Sequence, residues 1–285
     1  IQITKTTSFI AMNRKRLIMV VCIFTTCLLL SAQKRYQRVV SLVPSITQNI
    51  YYLKAESRLV GCTSYCTPAL ADKKEVVATA IEANVEKIVL LKPDVVIVST
   101  LTSPKDIATM RKFGIEVVEF ASAKSFDEIC SQYIALGKML DKQTEAEKTI
   151  DECKAKIKKL SKTLRWNVVP KIFFQIGADP IFAVLDNTFM GEYISMLGGK
   201  NIASKLEHGI VSREFVISQA PDFIFITSMG ISSEEEAKTW KRYTTLPAVK
   251  NNRIFIVDAN KACQPTPITF IETLEEMTKM CKQRR

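Results

Sequence analysis

Two acidic residues stand at matching points of a repeated stretch. Glu86 opens EKIVLLKPDVVIVST and Glu214 opens EFVISQAPDFIFITS, and each lies seven positions before the proline of a Pro-Asp pair (Pro93-Asp94, Pro221-Asp222). Paired carboxylates could act as a general acid and base, or present negative charge to a basic partner. They could also do no more than favour the N-termini of their own helices. Catalysis lacks the other residues it needs. A nucleophile needs a base beside it, but the chain has one histidine, His208 in KLEHGIVS, and no G-x-S-x-G. No Walker loop or post-strand G-x-G-x-x-G is present, which argues against nucleotide-dependent enzymes. A single histidine also excludes a metal centre built from several imidazoles. No catalytic residue, metal ligand or cofactor is therefore assigned, and His208 is expected at the surface.

The chain has eight cysteines, two of them (Cys22 and Cys27) in an apolar leader. Cys62 and Cys66 are near enough to pair if their loop folds back, and the sequence leaves that open. C-x₃-C alone is not a convincing zinc pattern.

The elements that position these residues follow from the repeat. Each copy reads as a short helix, a proline that stops it, and a strand buried on both faces (VVIV at 95–98, FIFI at 223–226). Ser99-Thr100 and Thr227-Ser228 then fall at strand C-terminal ends, where open α/β sheets bind ligands. The copies are 128 positions apart, so two similar α/β lobes are expected. Strands are expected at 38–43, 58–62, 115–120, 171–175, 182–185 and 253–257. Ser45, Asn84, Ser125 and Ser212 are expected to cap helices. Thr63–Lys74 and Asn260–Gln264 read as loops. Between the copies, Lys142–Arg165 has no Gly or Pro, and its apolar residues (Ala146, Ile150, Cys153, Ile157, Leu160, Leu164) step by three and four. It reads as one helix of over about 30 Å, a strut between the lobes.

Composition bounds the rest. Met12 is followed by a basic run and LIMVVCIFTTCLLL, a secretory signal pattern too short for the roughly 20 apolar residues of a membrane span. Cleavage is expected near Gln33, and lipid anchoring at Cys27 is the less favoured alternative because Phe24-Thr25-Thr26 is a poor lipobox. Without residues 1–33 the chain keeps 36 basic residues against 29 acidic ones. These cations are scattered over helix faces such as KAKIKKLSK, without the concentrated stripe that nucleic acid needs. The expected organisation is a leader over 1–33, an N-terminal lobe over 34–140, a linking helix over 141–166 and a C-terminal lobe over 167–285.

RVVSLVPSITQNIYYL, VGCTSY, NVEKIVLLKPDVVIVS, FGIEVVEF, KIFFQIGADPIF, LGGKNI and VSREFVISQAPDFIFIT together resemble the class III substrate-binding proteins of bacterial ABC importers, across residues 36–282. Members of that family carry cobalamin, ferric siderophores or haem. The resemblance implies two α/β lobes with parallel central sheets joined by a single long α-helix, the helical-backbone metal-receptor type. It implies a periplasmic, monomeric, non-enzymatic carrier, with a metal chelate (a corrinoid foremost) and a permease dimer as partners. Glu86 and Glu214 match the carboxylates that meet arginines on the permease. The matching ligand positions are Pro44, Ser45, Tyr65, Thr79, Ala80, Thr102, Asp179, Phe182, Asn187, Met229, Asn260 and Gln264. Tyr65 matches a tyrosine of the cobalamin-binding members, whereas Ala80 stands where those carry a tryptophan.

Overall fold

The computed structural model describes residues 36–79, 82–227 and 233–283. The leader, Cys27, Ala80 and Met229 lie outside the described residues. The first half runs β1 (Val39–Ser41), α1 (Pro44–Tyr52), β2 (Leu59–Thr63), α2 (Thr67–Ala71), β3 (Glu75–Ala78), α3 (Val85–Leu90), β4 (Val95–Ser99), α4 (Pro104–Lys112) and β5 (Glu116–Phe120). Its five strands are all parallel, in the order β3-β2-β1-β4-β5.

Two helices follow, α5 (Phe126–Met139) and α6 (Gln143–Leu160). The second half then runs β6 (Lys171–Ala178), β7 (Ile181–Ala183), α7 (Phe189–Met196), β8 (Lys200–Asn201), α8 (Arg213–Gln219), β9 (Phe223–Thr227), α9 (Ser233–Lys241), α10 (Pro247–Lys250), β10 (Ile254–Ile256), α11 (Ala259–Ala262) and α12 (Pro267–Gln283). Here β10, β9 and β6 are parallel and β7 returns antiparallel, with β8 beside β6.

The apolar runs behave as strands covered on both faces. Val95 and Ile97 enter one core while Val96 and Val98 enter another, all without exposure. Phe223 and Phe225 likewise separate from Ile224 and Ile226. The inner faces of both sheets share a single core, filled by Tyr133 and Leu136 of α5, Ile150 and Cys153 of α6, and Phe270 and Leu274 of α12. Phe270 lies 4.4 Å from the Tyr193 ring and 4.7 Å from the Phe126 ring, so one aromatic stack spans both halves. The Phe126 amide also donates to Glu192 of α7 at 2.6 Å. Lobes that share an interior move little against each other, since packed cores resist deformation.

Several expectations are corrected. The linking helix ends at Leu160, so its 18 residues span about 27 Å. Its apolar stripe is placed as expected: Ala146, Ile150 and Cys153 are buried, and Ile157, Leu160 and Leu164 pack against the same core. At the preceding corner, a side chain on Gly137 would lie 2.7 Å from Ala146, which explains the glycine. Ser45 is not a cap: Val43 precedes α1 and Pro44 occupies its first turn. Asn84, Ser125 and Ser212 do cap, accepting from Lys87, Glu128 and Phe215 amides at 2.9, 3.1 and 3.2 Å. The 63–74 and 260–264 loops contain α2 and part of α11, and β3 was not anticipated.

Candidate functional site

Parallel order puts the C-terminal ends of the first sheet along one edge. Thr79 follows β3, Tyr65 follows β2, Pro44 and Ser45 follow β1, and Thr102 follows β4. Thr79 and Thr102 line one depression with Leu42, Glu82, Ser99 and Asp106. Thr102 is fixed there by its own turn: its amide donates to the Ser99 carbonyl at 3.0 Å, and its hydroxyl accepts from the Ser99 amide at 3.3 Å. Thr79 accepts from the Glu82 amide at 3.1 Å. Pro44 and Ser45 are half-buried in the first turn of α1. Tyr65 is 58 % exposed, and its amide donates to the Thr63 hydroxyl at 3.2 Å.

In the second half, Asp179 is exposed just beyond β6. Phe182, 41 % exposed, pairs across from Ile176 near the same end. Each half thus offers one exposed aromatic at its strand C-terminal edge, a surface suited to the flat apolar face of a macrocycle. Asn260 is exposed in α11, with its amide held by Asp258 Oδ1 at 2.9 Å. Gln264 is half-buried, and its carbonyl accepts from the Thr269 hydroxyl at 2.9 Å. Asn187 sits apart. Its neighbour Asp186 accepts from Asn201 Nδ2 at 2.7 Å, and Asn201 pairs with Ile172 near the start of β6, away from Asp179.

Glu86 and Glu214 are each the second residue of their helix, and both are exposed. Among the described residues neither makes an ion pair. Lys87, next to Glu86, is turned to Glu75 at 3.0 Å. The carboxyl of Glu214 is held below the usual range by its own amide and then by the Ser212 hydroxyl. Both helices end the same way, with a left-handed residue before the proline: Lys92 at φ 46° and Ala220 at φ 49°. The caps therefore present two exposed carboxylates at matching positions of the repeat. His208 is exposed too.

One anchor had no signal in the sequence. Arg213, beside Glu214, donates Nη2 to Glu236 Oε2 at 2.8 Å, and Glu236 is 5 % exposed. Glu236 Oε1 accepts from Gln175 Nε2 at 2.8 Å, and Trp240 Nε1 donates to Gln175 Oε1 at 2.7 Å. The Arg213 guanidinium lies 4.8 Å over the Trp240 ring. This network pins the start of α8, and with it the backbone of Glu214, to β6. Glu236 ends the acidic run Glu234–Glu236, whose other two members are exposed.

The sequence matches the periplasmic binding protein family over residues 39–261. The chain belongs to that family. A vitamin B12-binding protein of Vibrio cholerae is 27% identical over 270 residues, covering 93% of this chain and 95% of the relative. A crystal structure of a periplasmic vitamin B12-binding protein of the same organism superposes with a TM-score of 0.74 at 26% identity, covering 87% of this chain and 98% of that one. A possible iron-binding, periplasmic solute-binding protein from Staphylococcus epidermidis superposes with a TM-score of 0.77 at 25% identity, covering 87% and 99%. An ABC transporter substrate-binding lipoprotein of Bacillus subtilis is 27% identical over 255 residues, covering 87% and 80%. The two-lobe α/β architecture with a linking helix is thus that of the periplasmic binding proteins. No described helix is long and apolar enough to cross a membrane, and no described group of three or more His, Cys, Asp or Glu could hold a metal ion.

Proposed function

We propose that the protein is an exported, non-catalytic carrier that takes up a metal chelate, a corrinoid foremost, and delivers it as a monomer to the permease dimer of an ABC importer. The observation that carries this reading is the duplicated unit that exposes Glu86 and Glu214 at equivalent positions. Two carboxylates on two similar lobes suit a two-fold partner with cationic contacts. Pro44, Ser45, Tyr65, Thr79, Ala80, Thr102, Asp179, Phe182, Met229, Asn260 and Gln264 are the proposed ligand contacts, with Asn187 the least favoured by its place in the fold. The corrinoid is preferred because the vitamin B12-binding relative matches along nearly its whole length. A ferric siderophore or haem is the second reading, supported by the structural neighbour described as a possible iron-binding protein. Export rests on the family and on the signal pattern after Met12, with lipid anchoring at Cys27 the alternative.

Calorimetric titration with cyanocobalamin, haemin and a ferric hydroxamate siderophore tests this. A one-to-one complex with cyanocobalamin and weaker or no binding of the others is expected. Stoichiometric binding of an iron chelate alone moves the assignment to the second reading. Chemical turnover of any of them without a stable complex overturns the carrier function.

A further inference from the structure

The turn that carries Tyr65 is flanked by two cysteines. Cys62 is the fourth residue of β2 and Cys66 is the N-cap of α2, and neither has any exposed surface. The Cys66 amide donates to the Thr63 carbonyl at 3.1 Å, folding the chain back between them. Both cysteine side chains enter the same core cluster. Cys66 Sγ also lies 3.1 Å from the Thr47 hydroxyl of α1 and 3.3 Å from that of Thr63.

We propose that Cys62 and Cys66 are a dithiol that closes to a disulfide and so staples the Tyr65 turn at the ligand edge. The oxidant is a small-molecule disulfide, as found in oxidising compartments. The Cys66 thiolate attacks one of its sulfurs, forming a mixed disulfide and releasing one thiolate. Cys62 then gives its proton to solvent and attacks the Cys66 sulfur, which expels the second thiolate. The protein loses two hydrogens and the external disulfide becomes two thiols. Cys66 is suited to attack first: the neighbouring Cys62 side chain, then the Thr47 and Thr63 hydroxyls, hold its thiol below the usual range against burial, while the Cys66 side chain and then burial push Cys62 upward. Ser64, Tyr65 and Thr67 around it are exposed, so entry needs one turn to open. Cys130 and Cys153, raised by burial to about 12 and about 11 within the helix layer, are inert by comparison.

The test incubates the folded full chain with oxidised glutathione, quenches in acid, then denatures, alkylates and maps peptides by mass. The expected result is a peptide containing Cys62 and Cys66 that is two hydrogens lighter and unalkylated, with Cys130 and Cys153 alkylated. Cys62→Ser is expected to stop at a glutathione adduct on Cys66. Two alkylated cysteines in the wild type, a persistent adduct, or a bridge to another cysteine overturns the proposal. Amide exchange over 63–67 is expected to slow by about fivefold or more on oxidation, and unchanged exchange overturns the stapling. That Tyr65 meets a ligand rests on the proposed function; the bridge does not, so the two can fail separately.

Discussion

Arg38 and Asp94 close a reciprocal pair of hydrogen bonds. Asp94 Oδ2 accepts from the Arg38 amide at 2.8 Å, and the Asp94 amide donates to the Arg38 carbonyl at 2.8 Å. Lys171 and Asp222 repeat it, with both bonds at 2.8 Å. The basic side chains then reach back to the preceding helix, Arg38 Nη2 to the Leu91 carbonyl at 2.6 Å and Lys171 Nζ to the Gln219 carbonyl at 3.0 Å. The Pro-Asp of each repeat therefore locks a carboxylate-bearing helix to the start of its lobe's central strand, at Arg38 just before β1 and at Lys171, the first residue of β6. Asp94→Ala and Asp222→Ala are each expected to cost about 1–2 kcal/mol. Chemical denaturation measures this, and no change in midpoint for either would dismiss the lock.

Phe270 tests whether the lobes share one interior. It has no exposed surface and touches aromatic rings from both halves. Phe270→Ala is expected to cost about 3–5 kcal/mol and to keep a single unfolding transition. Two separated transitions in calorimetry would show independent lobes.

Glu192 predicts a pH dependence at the same seam. Burial raises its carboxyl above the ordinary range, opposed by the Phe126 amide, and Asp127 and Glu128 of α5 add repulsion. A raised acid favours the fold in its protonated state. Its contribution is full below the unfolded value of about 4.3 and is lost as pH rises through the folded one. Glu192→Gln keeps an acceptor for Phe126 and removes the titration. Wild type is therefore expected to lose stability relative to this variant as pH rises from about 4 toward 7. A constant difference across that window would contradict the assignment.

Glu236→Ala leaves Arg213 partly buried without its carboxylate and takes from Gln175 Nε2 one of its two acceptors, the Gly177 carbonyl at 2.8 Å remaining. A loss of about 3–5 kcal/mol is expected, measured by denaturation. A loss well under 1 kcal/mol would show that the ion pair does not anchor α8.

The repeat was legible because its signals are local: capping residues, a proline stop and unbroken apolar runs fix each segment without help from elsewhere. The end of the linking helix was not. Ser161–Arg165 reads as helix by propensity, but the chain turns where Trp166 docks, its Nε1 donating to the Leu197 carbonyl at 2.7 Å and its ring meeting Phe223 edge-on at 5.6 Å. That is tertiary information. Short elements such as α2 and α11 carry too few residues for a period, and Pro44 displaced Ser45 as the start of α1. Tyr65, Thr79 and Thr102 rest on the family resemblance, since strand ends alone point to Ser99 and Thr227 and β3 before Thr79 has no signal in the sequence, whereas the place of Asn187 depends on β7 turning back.

The most direct test of the carrier account is binding to the importer's permease complex in lipid nanodiscs, by interferometry, for wild type, Glu86→Lys, Glu214→Lys and the double variant. Each single variant is expected to bind about tenfold or more weakly, and the double variant not detectably, with thermal midpoints unchanged because both residues are exposed. A folded double variant that binds as tightly as wild type would contradict the account.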